Sequence, residues 1–305
     1  MNIGSIILTI LGLSLFEIIT SIDNAIINAE VLRGMGQKAR RWFLLWGIFF
    51  AVFVVRGLLP LLIVWIANPQ IGLIGVFFAA FSQDPKIAQA IEATSPLLLL
   101  AGGVFLVFLF FNWLFLEPKN YGLRGERFFH AQGAWFFAVA SILLTIIVWL
   151  ALQKDSMLAF SAVVGSTTFF IIHGFKQFAE QQEKKLIKGN MSDISKIAYL
   201  EVLDSTFSID GVIGAFAFTL SIPLILLGNG LGALVLRKFT VSNIERIKKY
   251  IYLKNGAMYS ILFLGAIMIL DSFGYHIPAW FSPVITFGTV GYFFLKSRKE
   301  IVASH

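Results

Sequence analysis

Apolar runs of spanning length recur along the whole chain, and about 20 mostly apolar residues are what an α-helix needs to cross the hydrocarbon core of a bilayer. Nine candidates can be read off: residues 3–32, 42–66, 97–116, 134–152, 157–175, 198–220, 222–236, 257–272 and 280–295, the seventh and ninth being short. Charged residues make up 13% of the chain, against roughly 25% in a soluble domain. That is too little polar surface to coat a water-soluble globule. The runs are continuous rather than the ten-residue alternating segments of an outer-membrane barrel, and only helices or closed barrels satisfy their backbone in lipid. The expected fold is all-α, a polytopic transmembrane bundle forming a single domain over residues 1–305.

The first run has no cationic segment before it and is interrupted by Glu17, Asp23 and Asn24, so it reads as a span, not a cleavable signal. The chain has no cysteine, which removes disulfides and thiolate metal ligands from consideration.

The net charge of +7 follows the loops. All of the 24 Lys and Arg except Arg56, Lys86 and Lys154 fall in alternate loops or at their edges, at 33–41, 119–127, 176–196, 237–254 and 296–299. Under the positive-inside rule this puts the N-terminus outside and the C-terminus in the cytoplasm of a multi-pass plasma-membrane protein. The basic loops need no nucleic acid partner; membrane lipid, including anionic lipid, is the partner they fit. The stretch 71–81 is too short to cross and reads as an interfacial or re-entrant piece. Residues 176–196 read as a charged cytoplasmic helix with a turn at Gly189 and Asn190, and 237–254 as a similar connector.

One internal repeat stands out. The first run carries Glu17, Ser21, Ile22 and Asp23, and the sixth carries Asp204, Ser208, Ile209 and Asp210: an acid, three residues, then Ser-Ile-Asp. Runs one and six cross in opposite directions, as expected of inverted-topology half-repeats, about 1–116 and 198–295, with a site at their interface. A charged residue at a helix centre costs roughly 2.5 to 3.5 kcal/mol on insertion scales, so intramembrane acids suggest function. Here there are five: Glu17, Asp23, Glu201, Asp204 and Asp210. On an ideal helix Glu17, Ser21, Asn24 and Asn28 share one face. Glu201, Asp204, Ser208 and Gly211 form a comparable stripe, with Asp23 and Asp210 each rotated to one side. Gly211 is where the sixth span can bend or unwind.

Arg56 is the fixed positive charge among them, a structural counter-ion or a gating group, so protons or a divalent cation must neutralise the rest. Buried acids that merely specify packing are the competing reading. Carboxylate, amide and hydroxyl oxygens suit magnesium, calcium and manganese(II). With no cysteine, and with His173 expected to be an interface residue rather than a ligand, an oxygen-rich site for manganese(II) or a similar hard ion is preferred.

At these residues the chain resembles the TerC family of integral membrane proteins: Glu17 precedes Asp23 and Asn24, Glu201, Asp204, Phe207 and Asp210 are spaced by threes, and Trp46 and Gly47 precede Arg56. It departs from many members at Gly211, where they have Ser, and at Ile213, where they have Pro. The resemblance implies a metal-ion exporter, chiefly for manganese, and not an enzyme. Its acidic and amide positions fall on Glu17, Asp23, Asn24, Glu201, Asp204 and Asp210, supported by Ser21, Asn28, Arg56, Ser208 and Gly211. No tightly bound cofactor is expected; the divalent ion is cargo, and protons are the expected exchange partner. Two other classes compete. A non-transporting membrane scaffold has no use for five buried acids, and an intramembrane aspartyl protease expects Tyr-Asp and Gly-x-Gly-Asp, neither of which is present.

Overall fold

The computed structural model describes residues 2–47, 50, 54, 56–67, 69–81, 85–188 and 192–303, and among these every regular element is helical. In chain order they are α1 (Ile3–Thr20), α2 (Ile22–Arg33), α3 (Gln37–Trp42), a π-helical turn (Phe43–Gly47), α4 (Arg56–Ala67), a 3-10 turn (Pro69–Ile71), α5 (Leu73–Phe81), α6 (Pro85–Phe115), α7 (Arg124–Ala131), α8 (Trp135–Leu152), α9 (Ser156–Lys188), α10 (Asp193–Ala215), α11 (Ile222–Lys248), α12 (Leu253–Ser272) and α13 (Phe281–Ala303).

Five stretches are long and apolar enough to cross a membrane: Ile3–Thr20, Glu92–Phe115, Trp135–Leu152, Ser156–Phe178 and Leu253–Ser272; Gly57–Ile66 and Ile222–Leu236 are shorter apolar helices. Length and apolarity among the described residues mark five full spans among the nine candidate runs, and the other runs fall short of that measure. The physical reasons are local. α10 carries the four carboxylates Asp193, Glu201, Asp204 and Asp210, α11 turns polar after Leu236, and α13 ends in Lys296, Arg298 and Lys299. The short run at 71–81 forms the nine-residue α5. The expected turn at Gly189 and Asn190 lies outside the described residues. Up to it, the charged segment simply extends α9 as one continuous helix.

At the centre lies α6, whose window Glu92–Phe115 is 72% buried. With α9 and α12 it forms the core, where Phe105, Phe108 and Phe136 surround Phe169 edge-on or tilted at ring-centroid distances of 5.7 to 6.2 Å. Small residues let the backbones approach, as in membrane bundles generally. Gly103 faces Ile269 and the Gly265 carbonyl of α12, and Gly165 of α9 faces the backbone of Ala101. By contrast α8 is 22% buried and turns Trp135, Phe137, Ile142, Ile146 and Trp149 outward, the apolar surface a lipid-facing helix presents. On the other side of the core α1 packs along α11 and against α13.

Candidate functional site

The first run is not one helix. It breaks at Ser21, φ −95° and ψ 2°, between α1 and α2, in the middle of the acidic motif. Two hydroxyls bond locally at the interruption. Thr20 Oγ1 donates to the Phe16 carbonyl at 2.9 Å, and Ser21 Oγ donates to Glu17 Oε1 at 2.6 Å. The Thr20 bond is back-bonding, which can bend a helix, whereas the Ser21 bond joins two side chains and leaves the Ser21 amide on the Glu17 carbonyl at 3.1 Å. The sixth run, expected to bend at Gly211, instead passes through it unbroken and ends at Ala215. There Ser205, Thr206 and Ser208 each donate to the carbonyl four residues back, at 2.5 to 2.8 Å, and the helix absorbs all three.

The missing side chain at Gly211 makes room instead. A Cβ there would stand 3.1 Å from Glu17 Oε2, so glycine lets the buried carboxylate of α1 lie directly on the backbone of α10. Gly214 makes the same allowance for the Phe16 ring, and Gly232 of α11 for Cβ and Cγ of Glu17. Further along, the side-chain amide of Asn24 donates to Asp204 Oδ1. Phe16 with Gly214, Glu17 with Gly211 and Asn24 with Asp204 fix α1–α2 and α10 as antiparallel, and they bring the two acid motifs together.

The contacts run along a column rather than converging on one point. Gly211 and Asp204 are seven residues apart on α10, about 10 Å at 1.5 Å per residue, so Glu17 and Asp204 meet different partners. Glu201 stands almost one further turn along, its carboxylate against Gly47 of the π-helical turn, with neither oxygen hydrogen-bonded among the described residues. Asn28 Oδ1 is likewise buried without a hydrogen bond. Consistent with this spacing, no group of three or more His, Asp or Glu among the described residues is close enough to hold a metal ion. The side chains of Asp23, on α2, and of Arg56, which opens α4, lie outside the described residues.

Asp210 faces another helix. At 100° per residue it lies about 120° from Asp204 around α10, and its Oδ2 pairs with the ammonium of Lys176 on α9. Lys176 opens the basic stretch 176–196 and Arg56 is the fixed cation expected among the acids; the structure adds Lys176 as a second. The signal was its place three residues after His173, still on the apolar stretch of α9. His173 stacks on Phe169 of the same helix at 11° and 5.5 Å, with Nε2 3.0 Å from Gln177 Nε2. Asn229 of α11, 2% exposed, also escaped the sequence reading. A polar residue inside a short apolar span could have flagged it.

A family model described as a protein of unknown function, DUF475, matches residues 22–301. No curated protein and no solved structure matches the chain.

Proposed function

The chain belongs to the DUF475 family of proteins of unknown function, and we propose that it is a membrane transporter exporting a divalent metal ion, manganese(II) first, in exchange for protons. The reading treats it as a branch of the TerC family, with nine spans in two inverted half-repeats and the N-terminus outside the plasma membrane. The observation that carries it is the meeting of the two acid motifs: Glu17 against Gly211 and Asn24 on Asp204, beside a helix broken at Ser21. Interrupted helices at a repeat interface are how transporters expose oxygens to an ion at membrane depth.

Glu17, Asp23, Asn24, Glu201, Asp204 and Asp210 are the proposed ligands. Ser21, Asn28, Arg56, Ser208 and Gly211 support them. Because the described acids are strung along α1 and α10, with the amide of Asn24 on α2 between them, the ion moves between successive oxygen sites, each completed by water. Hard cations tolerate such part-hydrated coordination.

The Lys176–Asp210 pair favours a second reading, in which the acids are satisfied internally and the protein is a non-transporting scaffold. Purified protein in liposomes separates the two. Manganese uptake that Glu17→Gln and Asp204→Asn each reduce at least tenfold supports transport; wild-type protein that moves no divalent ion leaves the scaffold.

A further inference from the structure

Asn229 lies in the middle of the apolar part of α11, Ile222–Leu236, between Gly228 and Gly230, 2% exposed, and neither its Oδ1 nor its Nδ2 has a hydrogen-bond partner among the described residues. Buried polar groups in native proteins are nearly always paired, so an amide with both ends open requires an explanation.

Helical phase shows where the amide is aimed. Gly228 and Gly232 face α1: a Cβ on the first would meet Leu13, and one on the second would stand 2.8 and 3.0 Å from Cβ and Cγ of Glu17. Ser14 Oγ, donating to the Gly228 carbonyl at 2.9 Å, fixes this register. On another face, Leu226 reaches to 3.4 Å from where a Cβ of Gly57, on α4, would be. At 3.6 residues per turn, position 229 falls between those faces. The side chain is therefore directed between α1 and α4, less than one turn along α11 from the glycine that abuts Glu17. Along α1 it stands level with Ser14, on the opposite side of Glu17 from Asn24 and Asp204.

We infer that Asn229 is a ligand of the transported cation, its Oδ1 being the neutral oxygen that takes the ion on the side of Glu17 away from Asp204. This rests on the transport reading above and extends its column by one station, onto a third helix. An amide carbonyl suits a hard divalent ion without adding charge, which is what a release step next to a carboxylate requires. Conduction depends on sites weak enough to leave.

The test measures the manganese-dependent rise in unfolding temperature of the purified protein, for wild type, Glu17→Gln, Asn229→Leu and Asn229→Asp. Leucine has nearly the same volume and removes both open polar atoms. Without metal, Asn229→Leu is expected to unfold at or above the wild-type temperature, while its apparent manganese affinity falls roughly tenfold to a hundredfold. A merely structural amide gives the opposite, a loss of stability with unchanged affinity. Asn229→Asp, which keeps the oxygen and adds charge, should bind manganese at least as tightly as wild type. It carries the test if the leucine variant does not fold, and a weaker-binding aspartate then overturns the inference. Wild-type affinity in Asn229→Leu, alongside lost affinity in Glu17→Gln, overturns the inference and leaves the transport reading standing. A wild-type protein that shows no manganese-dependent shift removes both.

Discussion

The ammonium of Lys176 on α9 is ion-paired with the carboxylate of Asp210 on α10, both side chains being 12% exposed. Deleting one member of a buried pair strands the other charge and costs roughly 3–5 kcal/mol, whereas replacing both by neutral groups can be close to neutral. Lys176→Met and Asp210→Asn should each lower the unfolding temperature strongly, and the double variant should recover most of the loss. Additive losses in that cycle would show that the two groups are not coupled.

Gly211 makes a different demand, for space. With Glu17 Oε2 3.1 Å from the position of a Cβ, alanine requires the carboxylate to move by a few tenths of an ångström, and valine adds two methyl groups in the same direction. Gly211→Ala should retain the fold and lose part of its manganese uptake; Gly211→Val should lose nearly all of it. Gly288, whose Cβ would meet nothing within 4 Å, is the control. Equal effects of valine at 211 and 288 would sink the argument.

How much of this was legible depends on which forces act along the chain and which act across it. The apolar runs that became α8, α9 and α12 could be read because lipid selects composition over a fixed length. The two motifs could be read because intramembrane acids are rare. The break at Ser21 was missed because no glycine or proline marks it, and the continuity of α10 because glycine in it serves a neighbour and not its own backbone. Partners across helices, such as Lys176 for Asp210, leave no trace in spacing. The loops hid structure too. Glu126, 1% exposed, accepts from the Gly122 amide at 2.7 Å and from Asn255 Nδ2 at 2.8 Å, latching the start of α7 to α12.

Topology is open to a direct check, because the chain has no native cysteine. Single cysteines at the exposed positions Gln37 and Gly125 should be shielded from a membrane-impermeant thiol reagent in intact cells. Cysteines at Asn2 and Gln153, also exposed, should react. Labelling of the residue 125 cysteine from outside would reverse the orientation that the basic loops imply.

Lys119, just beyond α6, gives the protein a pH dependence of its own. Its ammonium donates to the carbonyls of Trp113 and Leu114 and sits 4.1 Å from the Trp113 ring centroid. Burial lowers its pKa from 10.5 to about 8, against the pull of Glu126 and Glu117. The unfolded chain then holds this proton to higher pH than the folded one, so stability rises as pH goes from about 8 towards 10.5. The unfolding temperature of wild type should climb across that window relative to Lys119→Met. Parallel curves would show that the lysine keeps an ordinary affinity for its proton.

Charge balance makes the strongest demand on the proposed transport cycle. Five carboxylates, Glu17, Asp23, Glu201, Asp204 and Asp210, are set against two fixed cations, Arg56 and Lys176, which leaves three negative charges to neutralise if all the acids ionise. Uncompensated charge out of water costs several kcal/mol per ion, so a departing divalent ion must be replaced, and protons can bind the oxygens it leaves. Metal and protons then compete for the same groups, and apparent manganese affinity should fall as pH is lowered. Since the acids interact, the competition should follow the titration of the set and not of a single residue. Liposomes loaded with a pH-sensitive dye read both sides of the exchange. An imposed proton gradient should drive manganese against its own gradient, with a lumenal pH change that tracks the metal moved. Manganese flux that ignores the gradient and leaves lumenal pH constant would mean that the fixed cations alone carry the return step, with Arg56 or Lys176 moving onto the vacated carboxylates.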